Sequence, residues 1–381
     1  MNQKKLRILL LNYRDISNPA AGGAEVHLHE IFKRVAGMGH DVHLLCSGFS
    51  GANPEEIIDG INITRIGREW HFNFSAQYYL LKTKCDAYDL IIEDVNKIPI
   101  YSPKLTRTPV MLIIPHLFGT TVFQEASVPI GLYVYLWELL MPAVYRNLQI
   151  EVISESTRED LVNRGFNKKN IHVIYCGINT EIYFPDDKNF HDPGYPYIVC
   201  IGRLKKYKRF DLVLKAFRNL CDGDTETRLL VIGDGDHSRA LKQLAASLGI
   251  LERVLFRGHT TDREKVRLLR GAKFVVNTSP KEGWGLTNIE AQACGTPVIA
   301  SNSPGLRESV RDGETGLLVP HGDIHSLTRT MKDLLSDSTL RDSLSRGALG
   351  WVGGFSWDRS ADETIEMIHR ITFNPEESMS I

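Results

Sequence analysis

"KFVVNTSPKEGWGLTNIEAQACGTPVIAS", residues 273–301, places two short apolar runs on either side of a glycine-rich turn and a helical pattern. The runs at 273–279 and 297–301 have the length and composition of buried strands. The segment "TNIEAQAC" at 287–294 predicts a helix that begins just after the turn. A strand, a helix and a second strand in succession indicate a βαβ unit, which belongs to a parallel sheet covered on both faces.

The same alternation extends through both halves of the chain. Apolar runs recur between amphipathic stretches: LRILLLN (6–12), DVHLLCS (41–47), YDLIIED (88–94), PVMLIIP (109–115), IEVIS (150–154), YIVCIGR (197–203), RLLVIGDG (228–235) and RVLFRG (253–258). A segment rich in Pro, Asp and Gly, "FPDDKNFHDPGYPY" at 184–197, is the best linker candidate. We therefore predict an α/β protein with two Rossmann-like, doubly wound parallel-sheet domains, 1–186 and 187–355. Such domains face each other across a cleft, and ligands bind beyond the carboxyl ends of the strands.

Composition and charge argue against several function classes. The chain has 43% hydrophobic and 24% charged residues and a formal net charge of −1, so nucleic acid is a poor candidate partner. The six cysteines form no CxxC pair, which favours a reduced, cytoplasmic protein without a zinc site. The apolar run near the N-terminus is too short for a signal peptide and predicts a first buried strand.

One apolar segment, "VPIGLYVYLWELLMPAVY" at 128–145, is nearly long enough to span a membrane. Pro129, Glu138 and Pro142 interrupt it. We predict a buried helix of a large domain. The alternative is shallow contact with a membrane surface, which would make the protein peripheral at the inner membrane face.

The glycine-rich turn lies between two glutamates, Glu282 and Glu290. Gly283 and Gly285 allow the backbone to approach a ligand closely, and free N–H groups at a helix start attract phosphate. Carboxylates repel phosphate but accept hydrogen bonds from hydroxyls on either side of it, so the pattern favours a nucleotide-sugar. The alternative is that Glu290, expected in the first helical turn, only interacts with the helix dipole. Glu282 would then be an ordinary loop carboxylate.

A basic run at 203–209 separates another predicted strand from its helix. Solvated charge is the usual role of such a run. Its position at the mouth of the predicted cleft favours diphosphate binding instead. We select Arg203 and Lys208, because charge-assisted bonds to a leaving diphosphate strengthen as the bond to the sugar breaks.

Taken together, these segments resemble the family 4 glycosyltransferases, retaining enzymes of the GT-B fold. "PKEGWGLTNIEAQACGTPVIAS" is similar to the family's Glu-x7-Glu donor motif, with Trp284 where Phe is commoner. "GRLKKYKRFDLVLKAF" is similar to its phosphate segment, with Arg209 in place of the usual glycine. "SESTREDL" and "CGINTEIYFP" resemble the segments that end the N-terminal domain. "GFSWDRSADETIEMI" resembles the last helix, which implies that 356–381 returns to the N-terminal domain.

The resemblance implies a role for each matching residue. Glu282 would bind hydroxyls of the donor sugar, and Glu290 those of the ribose. Gly22 and Gly23 would form a loop near the phosphate and the acceptor, and His116 would lie beside the reacting sugar. The implied catalytic residues are His116, Glu282, Arg203 and Lys208. Further implied donor contacts come from the backbone of the turn: Gly283, Trp284, Gly285, Leu286 and Thr287.

The chain also departs from the family pattern. Family members often carry histidines where this chain has "IIEDVNKIP". Glu93, Asp94 and Asn96 therefore either line an unusual acceptor pocket or cap a turn. Asp-Gly-Asp triplets at 222–224 and 234–236 are similar to the metal motif of another transferase fold, but they lie in turn contexts, so we predict no metal and no cofactor.

The sequence thus predicts a retaining, metal-independent glycosyltransferase that moves a hexose from a UDP- or GDP-sugar to a sugar, lipid-linked or small-molecule acceptor. The setting would be polysaccharide, glycolipid or other glycoconjugate assembly. A nucleotide-sugar epimerase or a sugar phosphorylase on the same fold is the alternative. A dinucleotide-dependent dehydrogenase is disfavoured because "GDGDHS" lacks the third glycine. A non-catalytic subunit is disfavoured because the charged residues of the family pattern are present: Glu282, Glu290, Arg203 and Lys208. The sugar, the base, the acceptor and the oligomeric state stay open.

Overall fold

The computed structural model describes residues 4–83, 85–124, 127–186, 188–223 and 226–373. The chain divides into two compact units, Met1–Gly177 with Trp357–Ile381, and Ile178–Ser356. We call them the N-terminal unit and the C-terminal unit. The proline-rich segment at 184–197 lies within the C-terminal unit.

An eight-stranded sheet forms the centre of the N-terminal unit. Its strands are β1 Arg7–Leu11, β2 Asp41–Gly48, β3 Glu55–Ile58, β4 Ile61–Arg68, β5 Leu90–Asp94, β6 Val110–Ile114, β7 Ile150–Val152 and β8 Ile171–Val173. Their order in the sheet is β3-β4-β2-β1-β5-β6-β7-β8. The helices are α1 Gly23–Gly37, α2 Phe72–Lys82, α3 Val128–Tyr145 and α4 Glu155–Asn163. The N-terminal apolar run forms the buried strand β1, as predicted.

A six-stranded parallel sheet forms the C-terminal unit. Its strands are β9 Tyr197–Ile201, β10 Arg228–Ile232, β11 Val254–Gly258, β12 Val275–Asn277, β13 Val298–Ser301 and β14 Gly316–Val319. Their order is β11-β10-β9-β12-β13-β14, a doubly wound arrangement. The helices are α5 Phe210–Leu220, α6 Ser238–Ser247, α7 Asp262–Gly271, α8 Leu286–Ala293, α9 Leu306–Ser309, α10 Ile324–Ser336 and α11 Ser338–Val352. The prediction of two doubly wound parallel-sheet domains is confirmed.

The last helix, α12 Trp357–Phe373, belongs to the N-terminal unit, where it packs against α1. The Ser360 hydroxyl donates to the Tyr175 carbonyl at 2.7 Å, and the Thr364 hydroxyl donates to the buried Glu151 carboxylate at 2.9 Å. These contacts attach the returning helix to strand β7 and to the segment after β8. Residues 374–381 lie outside the described residues.

The hairpin of β3 and β4 was not predicted. These strands pair antiparallel at the edge of the sheet. The turn between them, Asp59-Gly60, has positive φ angles of 49° and 82°. Two consecutive residues with positive φ are typical of the tight type I′ turn, for which Asp-Gly is a strong sequence signal. The sequence "IIDGINI" therefore contains the turn signal that predicts this hairpin.

Helix α3 corrects the prediction that residues 128–145 form a buried helix. Leu132, Leu136, Leu139 and Leu140 point outward, with exposed fractions between 48% and 59%. The only charged side chain of the helix, Glu138, is buried. By length and hydropathy, α3 is the one helix within the described residues that could cross a membrane, and 28% of it is buried. Only one stripe, with Val134, Met141 and Tyr145, packs onto the unit.

Candidate active site

The candidate site of the C-terminal unit lies at the topological switch point of its sheet. Strands β9 and β12 are neighbours at the centre, and the strand order runs outward from them in opposite directions. The basic turn 202–209 follows the carboxyl end of β9, and the glycine-rich turn 278–285 follows that of β12. Ligands of open α/β sheets bind at such a crevice. The fold therefore brings the two predicted donor-binding segments together.

The turn before α8 depends on the conformation of Gly285. This residue has a φ of +100°, and a Cβ atom at this position would lie 2.8 Å from the Ser309 Oγ atom. Only glycine fits without strain, and it lets α8 begin at Leu286. The Trp284 side chain is buried and packs edge-on against Phe355 at 5.3 Å between ring centroids. The tryptophan thus fixes the turn from the protein side.

A second loop, Ser303–Gly305, holds Glu282 in place. The Glu282 N–H donates to the Pro304 carbonyl at 3.1 Å. A Cβ atom on Gly305 would lie 2.2 Å from the Glu282 carbonyl oxygen, so this position also requires glycine. This loop was not predicted from the sequence, although "SPG" is a recognisable turn signal.

Lys208 and Glu282 form an ion pair through Nζ and Oε1. Their side chains are 18% and 15% exposed. Burial works against the charged ammonium, but the Glu282 carboxylate and Tyr207 together raise the pKa of Lys208. The nearby charge of Arg203, an exposed residue, works in the opposite direction. The two cations selected from the sequence are therefore close enough to interact.

Arg209 occupies the position where the family pattern has glycine. It adopts a left-handed conformation with a φ of 56° and a ψ of 36°, which is unusual for a residue with a side chain. The Thr278 hydroxyl donates to its carbonyl at 2.8 Å. This conformation ends the short 3-10 helix that carries Lys208 and begins α5.

A second ion pair joins Lys265 of α7 to Glu290 of α8, with 2.9 Å between Nζ and Oε1. Lys265 Nζ also lies 3.2 Å from Asp262 and 5.0 Å from the centre of the Tyr183 ring. Burial acts to lower the pKa of Lys265, but the Glu290 and Asp262 carboxylates together raise it. Burial and the charge of Glu290 raise the pKa of Tyr183. Neither Lys265 nor Tyr183 was predicted from the sequence.

Glu290 is the fifth residue of α8, so its expected position in the first turn was wrong. The helix dipole acts mainly on the first and last turns, which weakens the alternative that Glu290 serves only the dipole. The second carboxylate oxygen of Glu290, Oε2, is buried, and the Tyr183 hydroxyl interacts with this carboxylate. A carboxylate oxygen has room for more than one donor, so it can also accept a ligand hydroxyl.

In the N-terminal unit, Gly22 precedes α1 and Gly23 begins it. The Gly22 N–H donates to the Glu25 carboxylate at 2.7 Å. That contact occupies the N–H of one of the two glycines that the resemblance places near the phosphate and the acceptor. The role of both glycines stays a prediction.

His116 follows strand β6 and packs edge-on against Phe118 at 5.5 Å between ring centroids. The buried Glu138 of α3 fixes the same loop, because its carboxylate accepts the N–H groups of Phe118 at 2.9 Å and Gly119 at 2.8 Å. The only carboxylate of α3 thus positions the loop that carries His116.

For Glu93, the contacts favour the turn interpretation over the acceptor pocket. Its buried carboxylate accepts the N–H of Ile100 at 2.6 Å, the hydroxyl of Ser102 at 2.7 Å and that of Tyr145 at 2.6 Å. Burial, together with the charges of Glu25 and Glu151, raises the pKa of Asp94 well above its usual range. Asn96 donates to Asn12 at 2.8 Å. An acceptor role for Asp94 and Asn96 stays a prediction.

The Asp-Gly-Asp triplet at 234–236 lies in the turn between β10 and α6. Asp236 pairs with Lys205 at 2.6 Å, and Asp234 accepts the N–H of Gly235 at 2.7 Å. The triplet at 222–224 lies partly outside the described residues, since Asp224 is not among them. No group of three metal-ligating side chains occurs within the ranges that the structure describes.

Two family models match the chain. "Glycosyltransferase Family 4" matches residues 21–182, and "Glycosyl transferases group 1" matches residues 184–351. D-inositol 3-phosphate glycosyltransferase from Rhodococcus jostii is 33% identical in an alignment of 256 residues that covers 61% of this chain and 57% of that protein. The same enzyme from Acidothermus cellulolyticus is 34% identical in an alignment of 213 residues that covers 52% of this chain and 47% of that one. The chain therefore spans about half the length of these curated relatives.

Solved structures show the same fold over nearly the whole chain. Sucrose-phosphate synthase from Thermosynechococcus elongatus superposes with a TM-score of 0.80 at 22% identity, covering 96% of this chain and 99% of that one. Anabaena HepE in complex with UDP-glucose gives a TM-score of 0.78 at 18% identity, covering 95% and 99%.

Proposed function

Because the chain belongs to the family 4 glycosyltransferases, we propose that it is a retaining enzyme that moves a hexose from a UDP- or GDP-sugar to an acceptor hydroxyl. The observation that supports this most is the pair of lysine–glutamate contacts, Lys208–Glu282 and Lys265–Glu290, around one glycine-rich turn. The two carboxylates can accept hydrogen bonds from the sugar and ribose hydroxyls. The N–H groups of the turn and the basic residues can bind the phosphates.

In this proposal the diphosphate lies against the first N–H groups of α8. Lys208 and Arg203 supply positive charge to it, and backbone groups of residues 283–287 complete the contact. Glu282 accepts hydroxyls of the sugar before the turn, and Glu290 accepts the ribose hydroxyls after it. The Lys265 ammonium and the Tyr183 ring beside Glu290 hold its carboxylate in place for the ribose.

The proposed reaction breaks the bond between the sugar C1 atom and the diphosphate oxygen. The acceptor oxygen forms the new bond to C1 on the same face, and the leaving diphosphate oxygen takes the acceptor proton. Atoms and charge therefore balance without a further reactant. Lys208 and Arg203 stabilise the charge that grows on the leaving group, and His116 is proposed to assist the positively charged sugar.

We propose that no metal is needed, since lysine, arginine and helix N–H groups supply the positive potential. The acceptor class stays broad: a sugar, a lipid-linked glycan or a small molecule. Inositol phosphates join the screen because relatives at about one third identity are named for them. We further propose a cytoplasmic enzyme of polysaccharide, glycolipid or other glycoconjugate assembly.

The test is a screen of UDP- and GDP-sugars with each acceptor class, with and without EDTA. We expect acceptor-dependent release of nucleoside diphosphate, and NMR of the product should show the anomeric configuration of the donor. An epimerase would instead change the donor sugar without acceptor, and a phosphorylase would require inorganic phosphate. An inverted product, or activity lost in EDTA and restored by manganese, would contradict the mechanism.

A further inference from the structure

Helix α3 exposes a continuous apolar stripe. Leu132, Leu136, Leu139 and Leu140 lie three or four positions apart and face outward, as do Val128 and Ile130 in the first turn. The helix reverses the usual distribution of a surface helix, since its carboxylate is inside and its leucines are outside. Large exposed apolar patches on soluble proteins mark interaction sites.

Helix α2 adds a second stripe on the same face of the sheet. Phe74, Tyr78 and Leu81 are exposed along α2, and Trp70, just before it, is 77% exposed. Both helices pack into one hydrophobic core through their other sides, with Phe72 of α2 and Met141 of α3 among its members. We call the outward side chains of α2 and α3, with Trp70, the apolar face.

A direct hydrogen bond connects the two halves of the apolar face. The Asn73 side chain of α2 donates to the Tyr133 hydroxyl of α3 at 3.2 Å. The two stripes therefore belong to one surface of the N-terminal unit. Its composition, with tryptophan and tyrosine beside leucine, is that of side chains which enter the interface of a lipid bilayer.

Cationic side chains follow the apolar face at its ends. Arg68 precedes Trp70, Lys82 ends α2 and Arg146 follows α3, and all three are exposed. Lys104 is exposed in a short 3-10 helix that contacts α3. Among the described residues around these cations, Asp86 is an exposed acid and Glu69, beside Trp70, has a side chain that is 41% exposed. Arg14 and Lys97 pair with Glu69, so the four exposed cations are not neutralised by it. A two-fold contact between copies would bring cation rims together, because such an interface pairs a surface with itself. An anionic bilayer supplies the opposite charge.

We propose that the N-terminal unit docks on anionic membranes through the apolar face and its cationic rim. The side chains insert shallowly into the headgroup region while the cations contact lipid phosphates. This inference needs neither the donor site nor the proposed reaction, so it stands or fails separately from them.

The experiment measures binding of the whole protein to vesicles without any nucleotide-sugar. Vesicles of equal parts phosphatidylcholine and phosphatidylglycerol are compared with pure phosphatidylcholine by co-flotation, at low and high salt. We expect binding to the anionic vesicles that weakens as salt rises. Leu136→Glu with Leu140→Glu should weaken it by about tenfold or more, since each leucine loses its burial and gains a charge.

Leu251→Glu is the matched control, because Leu251 is an exposed leucine of the C-terminal unit. It should bind vesicles like the parent. Thermal unfolding of both variants checks that they are folded. The proposal is overturned if the parent binds neither vesicle, or if Leu251→Glu loses as much binding as the double variant. It is also overturned if light scattering shows that the parent is a dimer and the double variant a monomer, since the face would then be a subunit interface.

Discussion

The Lys208 ammonium and the Glu282 carboxylate are in direct contact in the C-terminal unit, although 74 positions separate them in the sequence. Strand β9 leads to the lysine and β12 to the glutamate, so the central pair of strands brings them together. Lys265 and Glu290 repeat the arrangement beyond the turn. Each carboxylate of the Glu-x7-Glu pattern thus has its own lysine. Without such a partner, a partly buried carboxylate would destabilise the folded protein and would be protonated more easily.

Lys208→Ala is expected to weaken donor binding and slow transfer by tenfold or more. The variant loses a charge-assisted bond to the diphosphate of about 1.5–3 kcal/mol and also leaves Glu282 without its partner. The second effect is separated by the pair Glu282→Gln and Lys208→Ala/Glu282→Gln, in which the carboxylate is neutral. Steady-state rates and calorimetry with nucleoside diphosphate give the four corners of the cycle. Turnover at the parent rate in Lys208→Ala would contradict the assignment.

At position 209, glycine should be tolerated better than alanine. A side chain in the left-handed region costs about 1–2 kcal/mol, so Arg209→Gly relieves strain. This gain offsets part of the stability that the variant loses with the Asp211 ion pair and with the greater chain entropy of glycine in the unfolded state. Arg209→Ala keeps the strain and loses the pair. We expect the glycine variant to unfold at the higher temperature of the two.

Lys215, in the interior of α5, is the control for that comparison. In an ordinary helical position, alanine should be more stable than glycine by about 1 kcal/mol. Thermal unfolding of Lys215→Gly and Lys215→Ala should therefore give the opposite order. The same order at both positions would mean that the conformation of Arg209 is not the cause.

The stability of the N-terminal unit should depend on pH through Glu151 and His27, which lie 3.4 Å apart and are fully buried. Burial raises the pKa of Glu151 from 4.5 to about 8 and lowers that of His27 from 6.5 to about 4. The contribution of Glu151 is complete below pH 4.5 and is lost as pH rises to about 8. The contribution of His27 is complete above pH 6.5 and is lost as pH falls to about 4.

Of this pair only Glu151 titrates between pH 6.5 and 8, and it should lower the free energy of unfolding there by up to about 1.4 kcal/mol per pH unit. Asp94, whose pKa is also raised, adds to the fall. Glu151→Gln mimics the protonated form and should reduce this slope, leaving the variant more stable than the parent at pH 8. Glu366→Gln, at an exposed position of α12, should leave it unchanged. Denaturant unfolding across the range measures the slopes. A parent curve that is flat above pH 6.5 would contradict the shift.

Most parts of the fold and site that were predicted from the sequence are local, and Lys208, which another crossover brings to the site, is the exception. Glu282, Gly285 and Glu290 lie within one βαβ unit, so their spacing carries their arrangement. Lys265 and the Pro304-Gly305 turn could not be assigned, because they reach the site from other crossovers through contacts that the local pattern does not encode. The prediction that α3 is a buried helix was wrong for a different reason. An evenly apolar segment has no polar side to indicate which face is outside, and only the buried contacts of Glu138 decide it.

The two glutamates should affect catalysis differently. Glu290 lies beyond the turn, where ribose hydroxyls would contact it about equally in the ground state and the transition state. Glu290→Ala should therefore mainly weaken binding of donor and free nucleotide. Glu282 lies on the sugar side, where the ring flattens and gains positive charge, so its bonds should tighten in the transition state. Glu282→Ala should mainly lower kcat while free nucleotide still binds.

Glutamine at each position is the matched control, since it keeps the shape and removes the charge. Calorimetry with nucleoside diphosphate, beside steady-state rates, measures both effects. If Glu282→Ala abolishes nucleotide binding while Glu290→Ala leaves it intact, the two roles are reversed and the proposed orientation of the donor is wrong.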